Sequence, residues 1–316
     1  MRMKRARAAA LALAMGGSLT VAAAAPASAH THGDPGAFPS LRRDLIASYD
    51  FDHPVRHDKT QERDLGRSGT PINLVNGGAA QRVRDHAYPG SRSALQTKQV
   101  SPGVTSTDDW KAGLYSETGV PSLHAFNGVK EVTIMGWFKQ TGENPGRNSA
   151  TGHYSAVGLA GVLSGNSQGH DVRALLEIID VNGTLRVVAL GRRVDGASSQ
   201  TFAANADWQS IVQHDKWSFL AATFDFDNAT MKLYKDGRPL DGFYVLPGDP
   251  WTVQGPPEPD LASATDPRGI KIGGSYPQNT REGNPCNCRM DGLMFLDRAL
   301  SDREIFKQYQ WATRRH

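Results

Sequence analysis

The run Arg289-Met-Asp-Gly-Leu-Met-Phe-Leu-Asp-Arg-Ala-Leu-Ser-Asp-Arg-Glu-Ile305 constrains the fold more than any other stretch. Met290, Leu293, Met294, Phe295 and Leu296 make an apolar segment short enough for a buried strand, and Asp297-Arg298 turns the chain. Ser301 and Glu304 then stand at capping-box spacing, with Leu300 and Ile305 placed as a hydrophobic staple across a helix start. A core strand, a tight corner and a short capped helix are predicted in that order.

Upstream, strand signals recur between turn clusters. Leu45 to Phe51 is the first. Val129 to Lys139 alternates most clearly, with Val132, Ile134, Gly136 and Phe138 on one face and Thr133, Met135, Trp137 and Lys139 on the other. Val172 to Ile179 and Thr184 to Leu190 flank Asp180-Val-Asn-Gly183, where Asn-Gly is a hairpin signal. Trp217 to Phe226, Met231 to Tyr234 and Ile270 to Ile272 follow, and helical periodicity is predicted only after Ser301. Many short strands and almost no helix predict an all-β, two-sheet antiparallel jelly-roll sandwich with a short C-terminal helix.

Residues 1–29 read as a secretory signal peptide, with Arg2, Lys4, Arg5 and Arg7 ahead of an Ala/Leu stretch and Ala-Ser-Ala29 as the cleavage pattern. Residues 30–43 are expected to be flexible and 44–316 to form one domain. Export to the extracellular space is expected, with no membrane span after cleavage. The whole chain carries 35 basic and 32 acidic side chains; without the four basic groups of the signal the balance is 31 to 32. A chain so near neutrality has no general field for nucleic acid or anionic lipid.

The motifs occur in an order that resembles laminin-G-like domains of the concanavalin A-like lectin and glucanase superfamily. Leu45-Ile-Ala-Ser-Tyr-Asp-Phe-Asp52 resembles the opening strand, and Val132-Thr-Ile-Met-Gly-Trp-Phe-Lys139 the tryptophan strand. Gly161-Val-Leu-Ser-Gly165 is similar to the strand that follows it. Trp217-Ser-Phe-Leu-Ala-Ala-Thr-Phe-Asp225 is similar to the central strand, Met231-Lys-Leu-Tyr-Lys-Asp-Gly237 to the hairpin after it, and Ile270-Lys-Ile-Gly-Gly274 to a later strand. Cys288 stands where the family commonly has a small Gly before the closing strand. The resemblance implies first and last strands side by side, and a structural calcium between them held in part by Asp52 and Asp291, with Asp50 nearby. Two acids supply only part of a shell of six to eight oxygens.

Cys286 and Cys288 are the only cysteines; in an oxidising compartment a local disulfide is favoured over a metal or redox pair. A glycosidase of the superfamily's type needs carboxyls at alternate positions of one strand, and Glu177-Ile-Ile-Asp180 has the wrong spacing. A lyase on a uronic-acid polymer needs a group to neutralise the carboxylate and a base. His153, Tyr154, Arg173 and Glu177 supply those types, the last two at matching strand parity. Sugar binding needs an aromatic platform with planar polar groups; Trp137, Lys139, Arg173, Arg192, Trp251 and Tyr276 are the candidates, although burial is the ordinary fate of a strand tryptophan. Carbohydrate recognition of a poly- or oligosaccharide is the leading expectation. A polysaccharide lyase or hydrolase comes second, and a structural or adhesive domain third.

Overall fold

The computed structural model describes residues 36–75, 81–99, 109–116, 119–126, 129–144, 157–163, 172–192, 200–246, 268–274 and 285–314. Two antiparallel sheets account for the strands among them. In chain-order numbering, the first sheet runs β15 (Arg238–Pro239), β14 (Thr230–Lys235), β13 (Ser218–Asp225), β8 (Glu131–Gln140), β18 (Cys288–Leu296), β6 (Ala94–Thr97) and β5 (Arg82–Val83), with β1 (Leu45–Tyr49) also paired to β18. The second runs β16 (Gly242–Tyr244), β12 (Gln200–Ala204), β11 (Thr184–Gly191), β10 (Val172–Val181), β9 (Val157–Leu163), β17 (Gly269–Ile272), β7 (Lys111–Tyr115), β4 (Ile72–Val75), β3 (Asp58–Glu62) and β2 (Pro54–Val55). The sandwich is all-β with one longer helix, α2 (Asp302–Thr313), at its end.

Strand alternation builds the core. Val132, Ile134 and Phe138 face Leu176, Ile178 and Ala189 of the opposite sheet, all buried. Met135 and Trp137, one step out of phase, belong to a second apolar cluster with Phe219, Tyr234, Met294 and Leu296. Ile305 and Ala312 of α2 join that cluster, so the helix covers the outer face of the eight-stranded sheet. Glu304 reaches back to the Ser301 N–H and hydroxyl at 2.9 and 2.7 Å, and Leu300 and Ile305 are both buried. Asn182 and Gly183 have φ of 55° and 82°, the left-handed pair a two-residue hairpin requires.

The opening and closing strands lie side by side, Tyr49 opposite Leu293 and Leu45 opposite Leu296. Two expectations need correction. The described part of the 30–43 segment is packed: Ala37 and Leu41 are buried, the Phe38 N–H donates to Gln308 at 2.7 Å, and the Phe38 ring meets Trp311 edge-on. Short helix also occurs before Ser301, as 3₁₀ segments at Pro39–Leu41 and Pro121–Phe126 and as a single turn, α1 (Trp208–Ile211), whose N-cap Asp207 accepts from the Gln209 N–H. Strands β2 to β7 have no counterpart in the sequence reading; each is at most five residues long, too short for periodicity to register.

Candidate functional site

Position on β18 decides what each end of the closing strand meets. Toward Leu296 its outer face is sealed by α2. Trp137, opposite Asp291 in the register, marks the limit of this sealed region, buried between Phe219 and Tyr309 at ring separations of 5.3 and 5.9 Å. It is a core residue and offers no platform to a ligand.

Toward Cys288 the same face turns polar. Arg289 pairs with Lys139 on one side and Gln96 on the other, and Trp217 continues the row beyond Lys139. The Lys139 ammonium lies 4.8 Å from the Trp217 ring centre, a cation–π distance. Asp85 clamps the row: its carboxylate accepts from Lys139, and from Arg289 at 2.6 Å. Burial would raise the Asp85 pKa, but the Lys139 and Arg289 hydrogen bonds outweigh it and hold the carboxyl at about 2. Gln96 also accepts from the Arg289 guanidinium at 2.9 Å. The result is a half-buried indole in line with three planar or charged polar groups.

One step along β18, Asp291 is fully buried. Its Oδ2 accepts from the Ala87 N–H and the Ser91 hydroxyl at 3.0 and 2.8 Å, while Oδ1 is buried without a hydrogen-bond partner. Gly292, at φ 55°, forms the bulge that follows and lies against Tyr88, where a Cβ would meet the ring. Asp52 repeats the pattern: Oδ2 accepts from the Arg92 N–H at 2.9 Å, and Oδ1 is buried and unpartnered. Desolvation raises the Asp291 pKa well above the usual carboxylate range, and the charges of Asp50 and Asp52 push it the same way. Asp50 itself holds His53, whose Nδ1 stands 2.9 Å from the carboxylate. Two buried carboxylate oxygens without donors, beside a third acid, suit a hard cation with oxygen ligands. Among the described residues no three His, Cys, Asp or Glu side chains stand close enough to hold an ion alone. Main-chain oxygens and water would have to complete such a shell.

Above these acids opens a cleft of about 710 Å³ lined by Asp52, Pro54, Arg82, Arg84, His86, Ser91, Arg92 and Ser93. Arg82 forms its inner wall, bonded to the Phe51 carbonyl at 2.8 Å and ion-paired to the fully buried Glu62. Desolvation raises the Glu62 pKa to about 7 against the pull of Arg82.

Of the remaining sequence candidates that are described, Arg173 and Glu177 fall on opposite faces of β10. A bulge between Val172 and Ala174 breaks the alternation on which the pairing of Arg173 with Glu177 rested. Arg173 bonds to the Val129 carbonyl and lies 5.0 Å from the Phe226 ring, on the side of the core between the sheets. Glu177 stands between the inward-facing Leu176 and Ile178, on the outer face of the ten-stranded sheet, and is buried there. Arg192 is likewise buried, its N–H bonded to the Arg173 carbonyl at 2.9 Å. His153, Tyr154, Trp251 and Tyr276 lie outside the described residues. Cys286 and Cys288 are an adjacent buried pair at the start of β18, with Cα atoms 5.1 Å apart.

Sequence reasoning missed Asp85, Gln96, Arg289, Arg84, His86 and Arg92. A signal was present in Arg82-Val-Arg-Asp-His86, where basic groups at every second position alternate with Val83 and Asp85.

No family model and no curated protein matches the chain. Solved structures do. A botulinum neurotoxin type C structure, described as depending for cell entry on two ganglioside molecules, superposes with a TM-score of 0.52 at 12% identity, covering 88% of this chain and 53% of that one. The binding domain of botulinum neurotoxin DC in complex with rat synaptotagmin II gives 0.50 at 12% identity, covering 86% and 53%. A Trypanosoma rangeli sialidase gives 0.48 at 14% identity, covering 84% and 32%, too low to bear on the fold. The chain spans about half the length of the toxin structures it matches. Identities this low establish a shared β-sandwich fold and nothing finer.

Proposed function

We propose that the protein is an exported, laminin-G-like carbohydrate-binding sandwich, and that it engages a poly- or oligosaccharide through the outer face of the eight-stranded sheet. The observation that carries this reading is the row Trp217, Lys139, Arg289 and Gln96. Sugar rings stack on indole faces, while their hydroxyls pair with planar amide and guanidinium groups. Asp85 holds the two cations in place, so the polar side of the surface is preorganised. Retention of the protein on a panel of insoluble glycans tests the reading. Wild-type retention on at least one glycan, lost in Trp217→Ala, is the expected result; retention unchanged by that substitution rules out the surface. Assaying the same panel for unsaturated products and new reducing ends tests the enzyme alternative, which the separation of Arg173 from Glu177 leaves without a described site.

We further propose that calcium joins Asp52 of the opening segment to Asp291 of the closing strand. The two unpartnered, buried oxygens support it. Calcium there would offset the cost of burying Asp291 charged and fix the loop that both acids anchor at Ala87, Ser91 and Arg92. We also propose that Cys286 and Cys288 form a disulfide after export, checked by thiol labelling of the purified protein.

A further inference from the structure

We infer that the cleft above Asp52 is a binding site for the acidic group of a carboxylated saccharide, a site distinct from the Trp217 row. Its lining holds three guanidiniums and an imidazole against one carboxylate. These cations are not equivalent. Arg82 is committed, bonded to the Phe51 and Lys59 carbonyls and paired with Glu62. Arg92 is held loosely: its N–H donates to Asp52, and its guanidinium, 77% exposed, makes a long ion pair of 4.0 Å with the same carboxylate. Arg84 and His86 are exposed, and among the described residues neither side chain has a hydrogen bond or ion pair.

Local structure explains the convergence. Arg82 lies on β5, and a bend follows at Arg84, where the Asp85 N–H donates to the Val83 carbonyl at 3.0 Å; Arg84 and His86 join Arg82 in the cleft lining while Asp85 binds Lys139 and Arg289. The one acid on this stretch is thus withdrawn from the cleft and neutralised elsewhere. Arg92 joins the lining from further along the chain, its N–H fixed on Asp52. Guanidiniums gathered in one cleft suit a planar carboxylate, which accepts paired N–H donors. A cleft of about 710 Å³ is far larger than an inorganic anion needs and falls in the range of about 300–1,000 Å³ typical of organic ligands. Ser93 and the Pro54 ring add a hydroxyl and an apolar surface, the pairing a sugar ring presents.

Calorimetric titration of the protein with four acidic ligands tests the site: oligoglucuronate, oligogalacturonate, oligomannuronate and sialyllactose. Each is matched by its neutral counterpart, and inorganic phosphate is the control anion. At least one acidic ligand should bind ten times more tightly than its neutral counterpart and than phosphate. Arg84→Gln and Arg92→Gln should each weaken it about tenfold, with melting temperatures unchanged because both side chains are exposed. Phosphate binding as tightly as the saccharide would reduce the cleft to a general anion site and overturn the saccharide assignment. Equal binding of acidic and neutral ligands, or no acidic ligand bound, would overturn it too. Trp217→Ala separates the two sites. Loss of binding there with Arg84→Gln and Arg92→Gln at wild-type affinity upholds the Trp217 surface and overturns the cleft, whereas the reverse pattern upholds the cleft alone.

Discussion

The two ends of the closing strand β18 show what burial does under opposite conditions. At the Leu296 end, Met294, Leu296 and the α2 side chains fill one apolar cluster that extends to Phe219 and to Trp137, the cross-strand partner of Asp291. At the Cys288 end, Arg289 and Asp291 sit among charges, and two carboxylate oxygens are shielded from water without a donor. The first arrangement is what folding alone favours. The second costs free energy unless something completes it, because a buried unpaired polar atom forfeits its hydration. One strand therefore contributes a structural end and the end to which the proposed ligands are assigned.

The largest effect should come from the apolar end. Trp137→Ala leaves a large void beneath α2 and should cost about 3–5 kcal/mol in denaturant unfolding. A smaller loss would contradict the claim that apolar packing under α2 holds this end.

Calcium should produce the next largest effect. At about a hundredfold excess over its Kd it should add roughly 2.7 kcal/mol and raise the melting temperature by roughly 5–10 °C. Asp291→Asn should abolish the response. A melting curve indifferent to chelator removes the ion from the account.

Glu62 gives a pH signature. Its folded pKa of about 7 lies above the unfolded carboxylate range. The folded state therefore binds more protons between those values, and stability contributed by this group rises as pH falls from about 7 toward about 4.5. The gain should be roughly 2 kcal/mol, and Glu62→Gln should flatten that part of the profile of melting temperature against pH. Persistence of the slope in the variant would assign it to another group.

The smallest effect belongs to the helix start. Arg298 forks onto Glu304 at 2.8 and 3.0 Å, and Glu304 also accepts from the Ser301 N–H. That hydrogen bonding from Arg298, against some burial, lowers the Glu304 pKa to about 2. Glu304→Ala should cost about 1–2 kcal/mol, without altering glycan retention.

The apolar end was legible in the sequence because its information is local. Met294, Leu296, Ser301 and Glu304 announce strand, corner and cap within one stretch, and the alternation of β8 correctly placed Trp137 opposite Phe138. The polar end was legible only in part. Asp52 and Asp291 were singled out through the family resemblance. Their neighbours Asp85, Arg84 and Arg92 come from a segment whose strand β5 is two residues long, and only tertiary folding brings them there. Arg173 failed for a related reason: one inserted residue at a bulge reverses side-chain parity, and bulges leave no mark in a single sequence.

Residue-resolved amide NMR of the protein, during addition of the best-retained panel saccharide in soluble form, tests the division of β18 most directly. Shifts concentrated on Trp217, Lys139, Arg289 and residues 82–93, with α2 unmoved, are the predicted result. Shifts centred instead on the outer face of the ten-stranded sheet, around Glu177 and Lys271, would contradict it.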